Sequence, residues 1–145
     1  MSYSEWEIRG YGVDVTDLNI TPERMVEFLK LDPEAEAMAR TFFEQRGIDS
    51  PTMDDFECFD EFGVPAIAST IAAVMNNVEE NIQFIGVSDF DDEEFVLWVP
   101  TYPWDMTGRE RTITPDELDA IFGKYTTILS DKPVEPSDWI VKNGG

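Results

Sequence analysis

Between residues 5 and 15 apolar and polar side chains alternate. Trp6 and Ile8 fall on one side of the chain, and Glu5, Glu7 and Arg9 on the other. After Gly10 the apolar phase slips by one, to Tyr11, Val13 and Val15. A period of two predicts a strand. A bulge or bend at Gly10 is the expected cause of the slip, because one inserted residue exchanges the faces of everything after it. Further along, the period becomes helical. Thr21-Pro22-Glu23 carries a helix start, Thr as N-cap and Pro in the first turn, ahead of Met25, Val26, Phe28 and Leu29. Asp32-Pro33-Glu34 restarts a helix with Ala35, Met38, Ala39 and Phe42 as its apolar face and Gly47 as its stop. Its outer face sets Glu36 and Arg40, then Arg40 and Glu44, one helical turn apart.

A short helix is predicted over 52–62, with Met53, Phe56, Phe59 and Phe62 apolar and Asp54, Glu57 and Glu61 along another side. The repeat Val64, Ile67, Ala68, Ile71, Met75, Val78, over about 65–79, predicts a largely buried central helix. The period then returns to two over 82–87 and 95–99, which reads as an antiparallel hairpin with an acidic tip at 88–94. Tyr102, Trp104 and Met106 are expected to plug the hairpin onto the helices, the other reading being an exposed aromatic anchor. Thr114-Pro115-Asp116-Glu117 has the form of a capping box, and Leu118, Ile121, Phe122, Tyr125, Ile128 and Leu129 follow with helical spacing. Pro133 and Pro136 end that helix, and 139–141 is expected to add a short last strand. The expected fold is α+β: one domain over 1–145, an antiparallel hairpin plus an N-terminal strand packed with four to five helices, without repeats or linkers.

A chain of 145 residues, 42% hydrophobic with 10 Phe and 4 Trp, buries roughly two thirds of its unfolded surface. It has the material for a core, which a disordered acidic tail lacks. The charge changes the picture. Thirty-one Asp and Glu face ten Lys and Arg, a formal net charge of -21, well outside the magnitude of about 2–8 comfortable for a small domain. Residues 47–108 contain fourteen acids and no Lys or Arg, whereas 1–46 and 109–145 hold five basic residues each. Solubility or adaptation to salt would also favour acids, but over the whole surface rather than in the middle of the chain.

Candidate chemistry is narrow. The chain has no His, so Ser-His-Asp and Cys-His nucleophile pairs and His zinc ligands are excluded. Cys58 is the only cysteine, which excludes an intrachain disulfide; set between Glu57 and Phe59, it lacks the electropositive surroundings of a reactive thiol and is read as structural or incidental. Gly10-Tyr11-Gly12 lacks the third glycine and the following helix of a dinucleotide loop. Asp89 to Glu94 resembles a calcium loop only in part, because Pro100 stands where the twelfth-position Glu would be needed and no Gly stands sixth. No cofactor and no metal is expected. The N-terminus has no signal-like apolar run and no stretch is long and apolar enough to span a bilayer, so the cytoplasm is the expected location.

Direct binding to nucleic acid is disfavoured, since affinity for phosphate comes from Lys and Arg. The inverse is favoured: ordered carboxylates can present to a nucleic-acid-binding protein the field it expects from phosphates. In its size, its 47–108 stretch without a basic residue, its acidic hairpin tip and its full aromatic core, the chain resembles the small acidic proteins that phages and mobile elements make against restriction or CRISPR nucleases. Residues 102–106, the helix at 114–129 and the Asn143-Gly144-Gly145 ending are also similar to those of uncharacterised proteins on Firmicute mobile elements. The resemblance implies a non-enzymatic anti-CRISPR or anti-restriction nucleic-acid mimic whose partner is a basic nuclease. An immunity protein or antitoxin neutralising a basic toxin needs the same physics; a carboxylate metal-dependent enzyme is the remaining alternative. The expected partner-facing residues are Asp89, Asp91, Asp92, Glu93 and Glu94 of the tip, with Asp54, Glu57 and Glu61 of the short helix.

Overall fold

The computed structural model describes residues 5–59, 66–132 and 134–144. Along the chain run β1 (Glu5–Asp14), a 3-10 turn (Val15–Leu18), α1 (Pro22–Leu29), α2 (Pro33–Gln45), α3 (Met53–Phe59), α4 (Ala66–Val78), β2 (Phe84–Ser88), β3 (Glu94–Trp98), α5 (Gly108–Arg111), α6 (Pro115–Leu129) and β4 (Ser137–Gly144). All strand pairs are antiparallel, in the order β2-β3-β1-β4. The fold is α+β. Phe62 and Val64, assigned to helices from the sequence, lie outside the described residues.

Side-chain oxygens set the helix starts. Thr21 accepts the Arg24 amide, Asp32 those of Glu34 and Ala35, and Thr114 that of Glu117. The reciprocal half of the box at Thr114 is not what Glu117 does; its carboxylate lies 3.5 Å from Arg109 Nε. The two-way capping box forms instead at α5, between Thr107 and Glu110. Glu110 also accepts the Trp98 indole N–H at 3.1 Å, tying the end of β3 to this turn.

β1 pairs with β4 without interruption from Glu5↔Gly144 to Gly12↔Ser137, so no bulge stands at Gly10. The phase slip has another cause. Ile8 points to one face of the sheet and Tyr11 and Val13 to the other, and both faces are covered. Val13, Phe84, Val96 and Trp98 join the helices in the main core. On the opposite face Val87, Phe95, Leu97 and Val141 form a second, smaller core with Ile8, Val99 and Trp139. It closes because the sheet curls until residues of its edge strands β2 and β4 come within 8 Å. Trp139 lies across the curl, its indole N–H donating to the Gly12 carbonyl at 3.0 Å and its ring 5.0 Å from that of Phe95.

α4 buries Ile67, Ala68, Thr70, Ile71, Ala72, Val74 and Met75, leaves Ala73 and Asn77 exposed, and rests directly on β2. A Cβ at Gly86 would meet the backbone of Ala68 and Ser69 at 2.6 Å, so only glycine lets helix and strand approach this closely. The Asn76 side chain donates to the Phe84 carbonyl at 2.9 Å and accepts the Phe84 amide at 2.6 Å, pairing with β2 as a strand would. In α2 the buried aromatic is Phe43, packed edge-on against Phe56 at 5.1 Å, whereas Met38 is exposed. The inward face therefore sits one residue beyond the position expected from Met38 and Phe42.

Two glycine substitutions should act in opposite directions. Gly86→Ala should destabilise the protein by about 1–3 kcal/mol, because the added methyl meets backbone that cannot yield. Gly123→Ala, inside α6 with open space around it, should stabilise by about 0.5–1 kcal/mol through helix propensity. Urea unfolding followed by circular dichroism checks both. Equal effects would mean that α4 is not seated on Gly86.

Candidate functional site

The hairpin tip is built around Asp89. Its Oδ1 accepts the Asp91 amide at 2.8 Å and the Glu93 amide at 3.0 Å, and its own amide donates to the Glu93 carbonyl at 3.0 Å. Asp92 takes the left-handed backbone, φ 62°, that closes the loop. Asp89 is thus half-buried and engaged with backbone. Asp91, Asp92 and Glu93 are exposed, and so is Phe90, at 52% in the midst of the acids. Glu94 begins β3 and turns inward: half-buried, it accepts the Ala68 amide at 3.0 Å in the first turn of α4. The strand parity that carries Val96 and Trp98 towards the helices carries Glu94 with them, a signal the sequence already held.

Asp54 and Glu57 of α3 are exposed, whereas Glu61 lies outside the described residues. Asp55 caps α3, accepting the Thr52 amide and hydroxyl at 2.8 and 3.1 Å. α3 stands beside the tip, close enough that Glu57 adds to the upward shift of Glu94, whose main cause is burial. Together with the 3-10 turn they frame a shallow recess of about 310 Å³ lined by Val15, Thr16, Asn19, Ile20, Met53, Ile67, Asp92 and Glu94.

Asp14 is the residue that the sequence did not place here. It is the last residue of β1, pairs with Phe95 across the sheet and caps the 3-10 turn by accepting the Thr16 amide at 2.9 Å. On the curled face it is 5% exposed, and burial pushes its carboxyl up despite the bonds from Thr16. It faces Glu93, raised in turn chiefly by the charge of Asp14 and further by Asp89 and Asp17. The β1–β3 register alone brings this pair together.

Most of the cations pair elsewhere, while Arg46, at the end of α2, lies over the Phe42 ring, which packs against Phe59 of α3. Arg9 and Lys142 pair with Glu7, Arg24 with Asp131, Lys30 with Glu27, Arg40 with Glu36, and Arg109 and Lys124 with Glu79. None of these carboxylates belongs to the tip, the 3-10 turn or α3. Glu79 is the hub beyond the far end of α4. Burial pushes it up, but the Tyr125 hydroxyl at 2.5 Å, with Lys124 and Arg109, outweighs that and holds it low.

Tyr102 and Trp104 do not plug the hairpin. They are 65% and 72% exposed and stacked on each other at 4.8 Å with rings 2° apart; Met106 alone of the three packs against the core. The reason is local: the Asp105 amide closes a turn on the Tyr102 carbonyl, and Arg111 holds the Pro103 carbonyl at 2.9 Å, so the turn stands off the surface. Cys58 is exposed on α3. Among the described residues no group of three or more His, Cys, Asp and Glu is arranged to hold a metal ion, and no helix is long and apolar enough to cross a membrane. No family model, curated protein or solved structure matches the chain.

These shifts fix how stability should vary with pH. Asp14, Glu93 and Glu94 keep their protons to higher pH folded than unfolded, so they oppose folding at neutral pH, and that opposition fades as pH falls through their raised values. Glu79 and Glu110 are held low, so their support is lost only as pH falls further, through their lowered values. The melting temperature should therefore rise on mild acidification, pass a maximum and then fall. Asp14→Asn, which keeps an acceptor for Thr16, should raise the neutral-pH melting temperature and flatten the rise. A melting temperature that falls from neutrality downward in both proteins would refute the coupling.

Proposed function

We propose that the chain is a non-enzymatic inhibitor that occupies the basic nucleic-acid-binding surface of a host defence nuclease, offering carboxylates where the nuclease expects phosphates. The observation that carries this reading is the separation of charge. The acids with cationic partners given above are Glu7 on β1, Glu27 on α1, Glu36 on α2, Asp131 after α6, and Glu79 and Glu117 around Arg109. Asp17, Asp54, Glu57, Asp91, Asp92 and Glu93 stand exposed at one end of the molecule, on a hairpin, a helix and a turn whose backbones are pinned by Asp89, Asp55 and Asp14. A rigid unneutralised field steers a basic partner in and fixes its register. Phe90 supplies the apolar contact that holds a complex after steering has formed it. Acids kept for solubility alone would need neither the rigid support nor the exposed aromatic.

The test uses the protein as bait in a bacterial lysate, followed by duplex DNA competition on what is captured. The parent should retain a nucleic-acid-binding protein and displace DNA from it, while itself showing no gel shift with duplex DNA. The variant Asp54→Lys/Asp91→Lys/Glu93→Lys should bind about a hundredfold more weakly or worse, because attraction becomes like-charge repulsion. It should remain folded, since exposed substitutions cost within about half a kcal/mol each. Phe90→Ala should weaken binding with little change in salt dependence. A reversed variant that competes as well as the parent would refute the assignment, and a captured toxin without a nucleic-acid site would replace the nuclease by a toxin.

A further inference from the structure

The recess between the 3-10 turn, α3, the start of α4 and the tip combines two kinds of wall. Val15, Ile20, Met53 and Ile67 give it an apolar floor, and Asp92 and Glu94 stand at its acidic side; none of its lining residues is basic. An apolar side chain would leave those carboxylates facing hydrocarbon. A divalent cation would want six or more oxygens at close range, and the lining gathers only two carboxylates, Asp92 and Glu94, with Thr16 and Asn19 beside them. The chemistry that satisfies both walls is a cation on a long aliphatic stem, whose methylenes lie on apolar surface while the charged head reaches a carboxylate. The half-buried Glu94 carboxylate, which accepts the Ala68 amide, gains from a cation more than an exposed acid does, because partial desolvation strengthens the pairing.

We propose that this recess receives one long basic side chain of the protein partner, its stem on Val15, Ile20, Met53 and Ile67 and its head group between Asp92 and Glu94. The inference rests on the reading of the acidic end as the partner-facing surface and adds a specific anchor to it. It also assigns the partner a protruding Lys or Arg at the centre of its basic patch.

A nona-lysine peptide serves as the probe. In titrations followed by the methionine methyl NMR signals, it should move the Met53 resonance and leave that of Met38, exposed on α2, in place. A nonapeptide of 2,4-diaminobutyrate carries the same number of charges on stems two methylenes shorter. It should bind through the exposed acids yet leave Met53 unmoved. Thr16→Trp, which fills the recess without altering charge, should weaken nona-lysine binding about tenfold, and the Asp54/Asp91/Glu93 reversal should weaken both peptides. If nona-lysine binds in a tip-dependent way but Met53 does not move, the recess proposal is overturned and the acidic surface stands. If neither Thr16→Trp nor the reversal changes binding, both readings fall together.

Discussion

α4 lies with its own backbone against the backbone of β2, and the contact exists because residue 86 has no side chain. The hairpin that carries the acidic tip is fastened to that helix. Glu94 holds its first turn, Asn76 pairs its last turn with β2, and Glu79 just beyond it gathers Tyr125, Lys124 and Arg109 from α5 and α6. The hairpin cannot tilt relative to α4 without breaking the pair at Phe84, nor can α6 leave without uncovering Glu79. A backbone-to-backbone seat of this kind leaves little room for sliding, because close-packed interiors yield only in discrete steps. The tip therefore stands on a fixed base.

The acids divide accordingly into two populations with different physics. One is embedded in hydrogen bonds: Asp14, Asp32, Asp55, Glu79, Asp89, Glu94 and Glu110 cap turns and helices or join elements. Where cations and a hydroxyl outweigh burial, as at Glu79, the charge is stabilised; where burial outweighs the hydrogen bonds, as at Asp14, the carboxyl is pushed up and the fold bears a cost at neutral pH. The other population is exposed: some of it, as Glu7, Glu27 and Asp131, pairs with cations, and the acids of the tip and α3 interact mainly by long-range repulsion, which salt screens. High acidity in this chain is thus not one property. Part of it builds the fold, and part strains it.

How much of this was legible in the sequence depended on distance along the chain. The tip was legible because a period of two runs on both sides of it, and α3 because Met53, Phe56 and Phe59 mark its inner face and leave Asp54 and Glu57 outward. Asp14 was not, because its neighbour Glu93 is set by a strand register between distant segments. The slip at Gly10 was visible, but its cause was not: a second small core on the curled face, which needs Trp139 from the far end of the chain. Tyr102 and Trp104 misled for a simpler reason. Large aromatics are usually inside, and only the turn held by Arg111 shows that these two are not.

Glu94 stands where the two populations meet, and this sets how the acidic end can change over generations. The side chains of Asp91 and Glu93 are free of helix-capping duty and can drift in identity as a counterpart's surface drifts. Glu94, Asp89 and Asp55 cannot follow, because replacing any of them disturbs a helix start or the loop itself. The result is a fixed frame with a variable fringe, in which adaptation to a new counterpart proceeds through the fringe while the frame keeps every intermediate folded.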